Sequence, residues 1–261
     1  MVLRPLVGAA LLVLAGCVVG IDLDKLDGGA VQRRDGSAPG SCASDTVEIA
    51  AGGRLCVDRT EVSRAAYRSF LAENPSTSGQ PSGCRFNSSF TPDGWPPPAG
   101  SDALPVTGVD WCDAQAFCAA QGRRLCGPIG GGASQLAGAG DPARSEWATA
   151  CTEAGAHAYP YGPSFEPGRC NGAGQSSAPA PVGTLPTCSG GYAGLLDLSG
   201  NVGEWVDFCD EGPGMSGTND TCAILGGSFQ DGAADLSCAS SRSARRSSTA
   251  EDRGFRCCSL P

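Results

Sequence analysis

From about Cys42 onward the apolar positions come in short runs, each matched to one element at most. Val47-Glu48-Ile49 and Leu55-Cys56-Val57 are β-prone runs separated by Ala51-Gly52-Gly53, the pattern of a hairpin. Further on, Ser63 can cap a helix in which Ala66, Tyr67, Phe70 and Leu71 fall at i, i+1, i+4 and i+5, forming one apolar face. A second helix is predicted from the N-cap Asp110 over Trp111 to Gln121, with Gly122 suited to the C′ position. A third runs from cap Ser145 through Cys151 to Gly155. Residues 73–105, rich in Pro, Ser and Gly, read as a long loop. After the third helix, Gly and Pro recur so often that only short strands fit, and no internal repeat is present.

Upstream of Cys42 the pattern differs. Arg4 precedes an apolar run from Leu6 to Ala15, too short to span a bilayer as a helix. It ends Leu14-Ala15-Gly16-Cys17, which resembles the bacterial lipobox. That resemblance implies a signal peptide over residues 1–16 and a lipid-bearing Cys17. Acyl chains on one cysteine anchor a protein at ~0.8 kcal/mol per buried CH₂. Residues 17–41 contain few large apolar residues after Leu26 and read as a flexible tether, leaving residues 42–261 as the globular domain.

Composition narrows the chemistry. The chain has 261 residues, 39 Gly and 19 Pro, which argues against a helical bundle. A net charge of -9 makes nucleic acid an unsuitable partner. The single histidine, His157, cannot build a multi-histidine metal centre. No Gly-x-Ser-x-Gly elbow surrounds any serine, so a Ser-His-Asp hydrolase through His157 has little support. Setting Cys17 aside, 14 of the 15 cysteines remain, an even number in a chain routed for export. No Cys-x-x-Cys pair occurs, so disulfides, up to seven, are expected in place of a thiolate metal cluster. Cys112 and Cys118 lie ~240° apart around their helix. Each must therefore tie that helix to a different element.

Four stretches together resemble the sulfatase-modifying-factor domain, the family of the formylglycine-generating enzyme. They are Asp58-Arg59-Thr60-Glu61-Val62-Ser63; Leu104-Pro105-Val106-Thr107-Gly108-Val109-Asp110-Trp111 with Gly122-Arg123-Arg124-Leu125; residues 194–205, Gly-Leu-Leu-Asp-Leu-Ser-Gly-Asn-Val-Gly-Glu-Trp; and Leu225-Gly226-Gly227-Ser228-Phe229, followed by Arg246 and Gly254-Phe255-Arg256-Cys257. The resemblance implies an α+β, C-type-lectin-like fold, loop-rich, with few short helices and strands, stapled here by disulfides.

It also implies chemistry that can be checked residue by residue. The family's oxidases hold copper(I) between two cysteines five positions apart and convert a substrate cysteine to formylglycine. Counting back from Arg246 without gaps, the first of these falls on Cys238 and the second on Ser243. A hydroxyl is too hard a donor for copper(I), so copper is not expected here. Cys238 is instead expected in a disulfide, with Cys257 or Cys258 as partners to consider. The family binds calcium at the Gly-Asn-x-x-Glu-Trp turn, which assigns it to Gly200, Asn201, Val202 and Glu204, with Asn171 and Gly172 matching part of a second site. The competing outcome pairs Glu204 with a buried arginine, Arg256 or Arg246. The arginines Arg242, Arg245, Arg246, Arg253 and Arg256 look like an anion-binding cluster, but the resemblance implies that they pin loops through carboxylates and backbone carbonyls, work suited to a planar fork. Trp95 is either an exposed stacking residue or the centre of a folded Pro-rich loop.

The functional expectation is a membrane-anchored exported lipoprotein whose domain binds or scaffolds an unidentified protein or glycan. Two alternatives stand beside it: a formylglycine-generating oxidase using Cys238, and a lectin-type ligand module.

Overall fold

The computed structural model describes residues 40–132, 135–212 and 217–261. The expected hairpin is present: strand β1 (Thr46–Ala50) pairs antiparallel with β2 (Arg54–Asp58) in the register Val47↔Val57. The sheet continues through β10 (Cys257–Ser259) to β3 (Arg124–Leu125), in the order β1-β2-β10-β3. A two-stranded ribbon of β4 (Ser189–Gly190) and β5 (Tyr192–Leu196) follows in sequence. The second four-stranded sheet has the order β8-β7-β6-β9, built from β6 (Gly203–Asp210), β7 (Thr221–Leu225), β8 (Ser241–Arg245) and β9 (Arg253–Phe255). Only β9 runs parallel to its neighbour in this sheet.

Three α-helices lie among the described residues. Helix α1 (Arg64–Ala72) starts where the Ser63 hydroxyl accepts from the Ala66 N–H, and it buries Tyr67 and Phe70. Helix α2 (Trp111–Ala120) opens with a capping box, in which the Asp110 carboxylate accepts from Asp113 N and the Asp113 carboxylate from Asp110 N. Helix α3 (Glu146–Thr152) is capped by Ser145 and stops before Gly155. Glu153 ends it by turning left-handed, at φ 51°, and donating its N–H to Thr149 O.

Two apolar clusters hold these elements. One is aromatic: Tyr67 stacks on Phe117 with centroids 5.5 Å apart, and Phe255 meets Phe117 edge-on at 5.4 Å. The other gathers Trp147, Leu195, Leu198, Val206 and Phe208. Trp95 is half-buried against the first cluster with the Arg68 guanidinium 5.8 Å above its ring, so the Pro-rich loop folds over its own tryptophan.

All 14 cysteines from Cys42 onward are paired, as Cys42–Cys56, Cys84–Cys112, Cys118–Cys257, Cys126–Cys258, Cys151–Cys238, Cys170–Cys188 and Cys209–Cys222. Cys112 and Cys118 do leave α2 for different elements. The expected partners of Cys238 are corrected: it joins Cys151 on α3, not Cys257 or Cys258. The reason is the alternation of β10, which sends successive side chains to opposite faces. Cys257 enters the aromatic cluster beside α2, Cys258 enters the second cluster, and each finds a cysteine there.

Candidate functional site

The turn that feeds β6 is built from backbone conformations few residues tolerate. Asp197, Gly200 and Asn201 all have positive φ, at 59°, 74° and 61°. Asp and Asn are the non-glycine residues best able to adopt this region. At Gly200 a side chain is also excluded by space, because a Cβ would sit 2.3 Å from Asn171 O. The turn is thereby pressed onto Asn171 and Gly172, and Asn201 N donates to Asn171 O at 2.8 Å. The six residues assigned to calcium from sequence do come together in space.

Their donor atoms are largely engaged. Glu204 accepts from Arg256 Nε and Nη2, both at 2.7 Å, and from Trp147 Nε1, also at 2.7 Å. Asn201 Oδ1 accepts from Asn171 Nδ2 and from Ala180 N. The unpartnered buried oxygen among them is Asn171 Oδ1. In this arrangement the turn offers a hard cation backbone carbonyls and one amide oxygen, while its carboxylate is held by Arg256. Among the described residues no group of three or more His, Cys, Asp or Glu side chains is disposed to hold a metal. As arranged, with Glu204 held by Arg256, the turn has no carboxylate oxygen left unengaged for a hard cation.

Two carboxylates not singled out as site residues in the sequence complete this centre. Glu61 is 2% exposed; its Oε1 accepts from Asn201 Nδ2 at 2.9 Å, and its Oε2 is buried without a hydrogen-bond donor. Asp197 lies against it and accepts from Gly183 N at 2.6 Å. Burial, then the charges of Asp197 and Glu204, push the Glu61 carboxyl well above the usual range, and burial raises Asp197 as well. Two carboxyls, Glu61 and Asp197, thus lie above their usual range beside the Glu204–Arg256 pair. Both residues stand inside the motifs that carry the family resemblance. Nothing in their spacing, 136 residues, reveals that they meet.

Beside Glu61 opens a cleft of about 350 Å³ between α1 and the end of β2, with Phe70 and Phe117 among its lining residues. On its wall Asp58 accepts from Arg123 at 2.5 Å and from Cys257 N at 2.9 Å. Burial outweighs these contacts and raises the Asp58 carboxyl to about 6.

The expected oxidase position looks different. Cys238 is fully buried and bonded to Cys151, and its N–H donates to Ala158 O. Ser243 lies on β8, exposed, beside a surface trough that it lines with Ser241 and Asp141. Cys238 and Ser243 offer neither a free thiol nor a pair of soft ligands, so copper(I) does not fit between them. His157 is no closer to catalysis: its Nδ1 is 3.7 Å from Glu153 and takes no hydrogen bond. Four of the five C-terminal arginines do structural work. Arg256 holds Glu204, Arg242 lies between Asp231 and Asp252, Arg246 pairs with Asp220 over the Trp111 ring, and Arg253 covers Trp205. Cys17 lies outside the described residues.

Residues 25–260 match the sulfatase-modifying factor enzyme 1-like domain, a span that takes in nearly the whole chain. The chain belongs to that family. The mouse protein named inactive C-alpha-formylglycine-generating enzyme 2 is 30% identical over 190 residues, an overlap covering 63% of this chain. The chain spans about half that relative's length, 54%. Among solved structures, CarF matches with a TM-score of 0.54 at 21% identity, covering 80% of this chain and 87% of CarF. PvdO from Pseudomonas aeruginosa matches with a TM-score of 0.52 at 18% identity, covering 80% and 81%. At these identities the two structures establish the fold alone. This family member therefore has the α+β, loop-rich, disulfide-stapled architecture expected from its motifs.

Proposed function

We propose that this chain is a non-oxidase member of the family, a binding or scaffolding domain held at a membrane through a lipidated Cys17. The observation that carries the first part is the buried Cys151–Cys238 disulfide. Copper(I) chemistry on a substrate thiol needs thiolates that are free and reachable, and here the cysteine at the matching position is neither. Ser243, at the companion position, supplies a hydroxyl. The name of the mouse relative, an inactive formylglycine-generating enzyme, points in the same direction. Export and anchoring rest on the lipobox-like Leu14-Ala15-Gly16-Cys17 and on seven disulfides, which persist in oxidising compartments.

The test is incubation of the purified chain with copper, oxygen, a thiol reductant and a Cys-x-Pro-x-Arg peptide. No aldehyde above a protein-free blank is expected. Turnover that follows protein concentration would restore the oxidase reading. Metabolic labelling with a fatty acid, lost in Cys17→Ser, tests the anchor.

A further inference from the structure

The second sheet ends in an unusual strand. β8 pairs with β7 along one side through five residues, from Ser241↔Leu225 to Arg245↔Thr221. Along its other side, among the described residues, no other strand or loop donates to or accepts from the backbone of Ser241–Ala244. The opposite edge of the sheet is covered, because Phe255 O on β9 accepts from Val62 N. Exposed edges are normally blunted by proline, lysine, a bulge or a covering segment. The sequence Ser241-Arg242-Ser243-Ala244-Arg245 carries no proline or lysine, and its pairing with β7 is regular.

The same five residues are self-complementary. An antiparallel pairing of two β8 strands centred on Ser243 sets Ser241 opposite Arg245 and Arg242 opposite Ala244. No arginine then faces an arginine, whereas centring on Arg242 sets arginine against arginine and centring on Ala244 sets Arg242 opposite Arg246, just past the strand. Ser241, Ser243 and Arg245 point to one face, where the small serines border a trough of about 470 Å³ walled by Asp141. Arg245 is exposed and, among the described residues, forms no ion pair. Among the described residues the Asp141 carboxylate accepts only from Ala143 N in its own loop. In the paired arrangement Arg245 of one copy lies over Ser241 of the other, on the side where that copy's Asp141 stands.

We infer that β8 is a self-association edge: two copies of this chain join their sheets through β8 about a two-fold axis at Ser243, with reciprocal Arg245 to Asp141 contacts. Such an interface is isologous and closes on itself, so it yields dimers and not fibres. Its small size places it among weak, concentration-dependent interfaces. The net charge of -9 opposes association only at long range, where salt screens it beyond about 8 Å at physiological ionic strength.

The experiment is sedimentation velocity on the full chain carrying Cys17→Ser, so that acylation cannot drive association. A monomer–dimer equilibrium is expected between about 10 µM and 1 mM, the range of weak interfaces. Ser243→Arg and Ser243→Glu each place like charges on the axis and should weaken the dimer at least tenfold. An equimolar mixture of the two should restore it. Arg245→Asp and Asp141→Arg should each weaken it, and combining them in one chain should recover it. A chain that stays monomeric at 1 mM overturns the proposal. So does a dimer that all four substitutions leave unchanged.

Discussion

Arg256 holds Glu204 through two parallel hydrogen bonds of 2.7 Å, with the guanidinium 0% and the carboxylate 1% exposed. The remaining guanidinium donors reach Asp58 O and Leu196 O, so one side chain ties β2, β5 and β6 to the C-terminal strands. Removing either partner leaves a charge buried without its counterion, which costs roughly 3–5 kcal/mol. Arg256→Met and Glu204→Ala are each expected to lower urea-unfolding stability by that amount. Arg256→Lys should recover little, because an ammonium cannot reproduce the planar fork. Equal stability in Arg256→Lys and the parent chain would show that charge alone matters there.

Calcium would have to displace Arg256 from that carboxylate. While Arg256 occupies both Glu204 oxygens, adding millimolar calcium is expected to move the thermal midpoint by less than about 1 °C, since a ligand stabilises only a state that binds it. A saturable rise, abolished by Glu204→Gln, would show that the turn exchanges its arginine for the ion.

The cross-links differ in the chain they enclose. Cys118–Cys257 and Cys126–Cys258 span 139 and 132 residues, whereas Cys209–Cys222 spans 13. In the loop-entropy account a span above 100 residues contributes about 5 kcal/mol and one near 15 about 3 kcal/mol. Paired Cys→Ala variants measured by urea unfolding should follow that order. The reverse order would mean that local packing around each bond dominates.

Buried acids set the pH response. Burial raises Asp58 and Asp110 to about 6, and raises Asp113, beside Asp110, to about 8. Their carboxyls titrate near 4 in the unfolded chain. The folded state therefore holds more protons between pH 4 and 8, and stability falls as pH rises through that window. A two-unit rise at Asp58 corresponds to about 3 kcal/mol. Unfolding free energies at pH 5 should exceed those at pH 8, and Asp58→Asn should flatten the profile below pH 6.5. Stability that climbs from pH 5 to pH 8 would contradict this.

Local structure was readable wherever neighbours in sequence decide it. The Ser63 cap, the Asp110 start of α2 and the Val47 to Val57 hairpin each depend on residues within about a dozen positions. Pairing over long separations was not readable. Seven disulfides admit too many connectivities for spacing to choose among them, so the Cys151 partner of Cys238 became visible only once α3 was placed. The meeting of Glu61 with Asp197, and the free edge of β8, likewise arise from topology, the second from which strand happens to end the sheet. The motif residues around Asn201 and Glu204 did mark the centre, although Arg256 was one of two arginines they left open.

The state of Cys238 decides the account. Alkylation of the native, unreduced chain, followed by denaturation, proteolysis and mass spectrometry, reads it directly. The prediction is an intact Cys151–Cys238 linked peptide and no alkylated cysteine from Cys42 onward. Recovery of alkylated Cys238, together with a second reactive thiol, would contradict the non-oxidase reading.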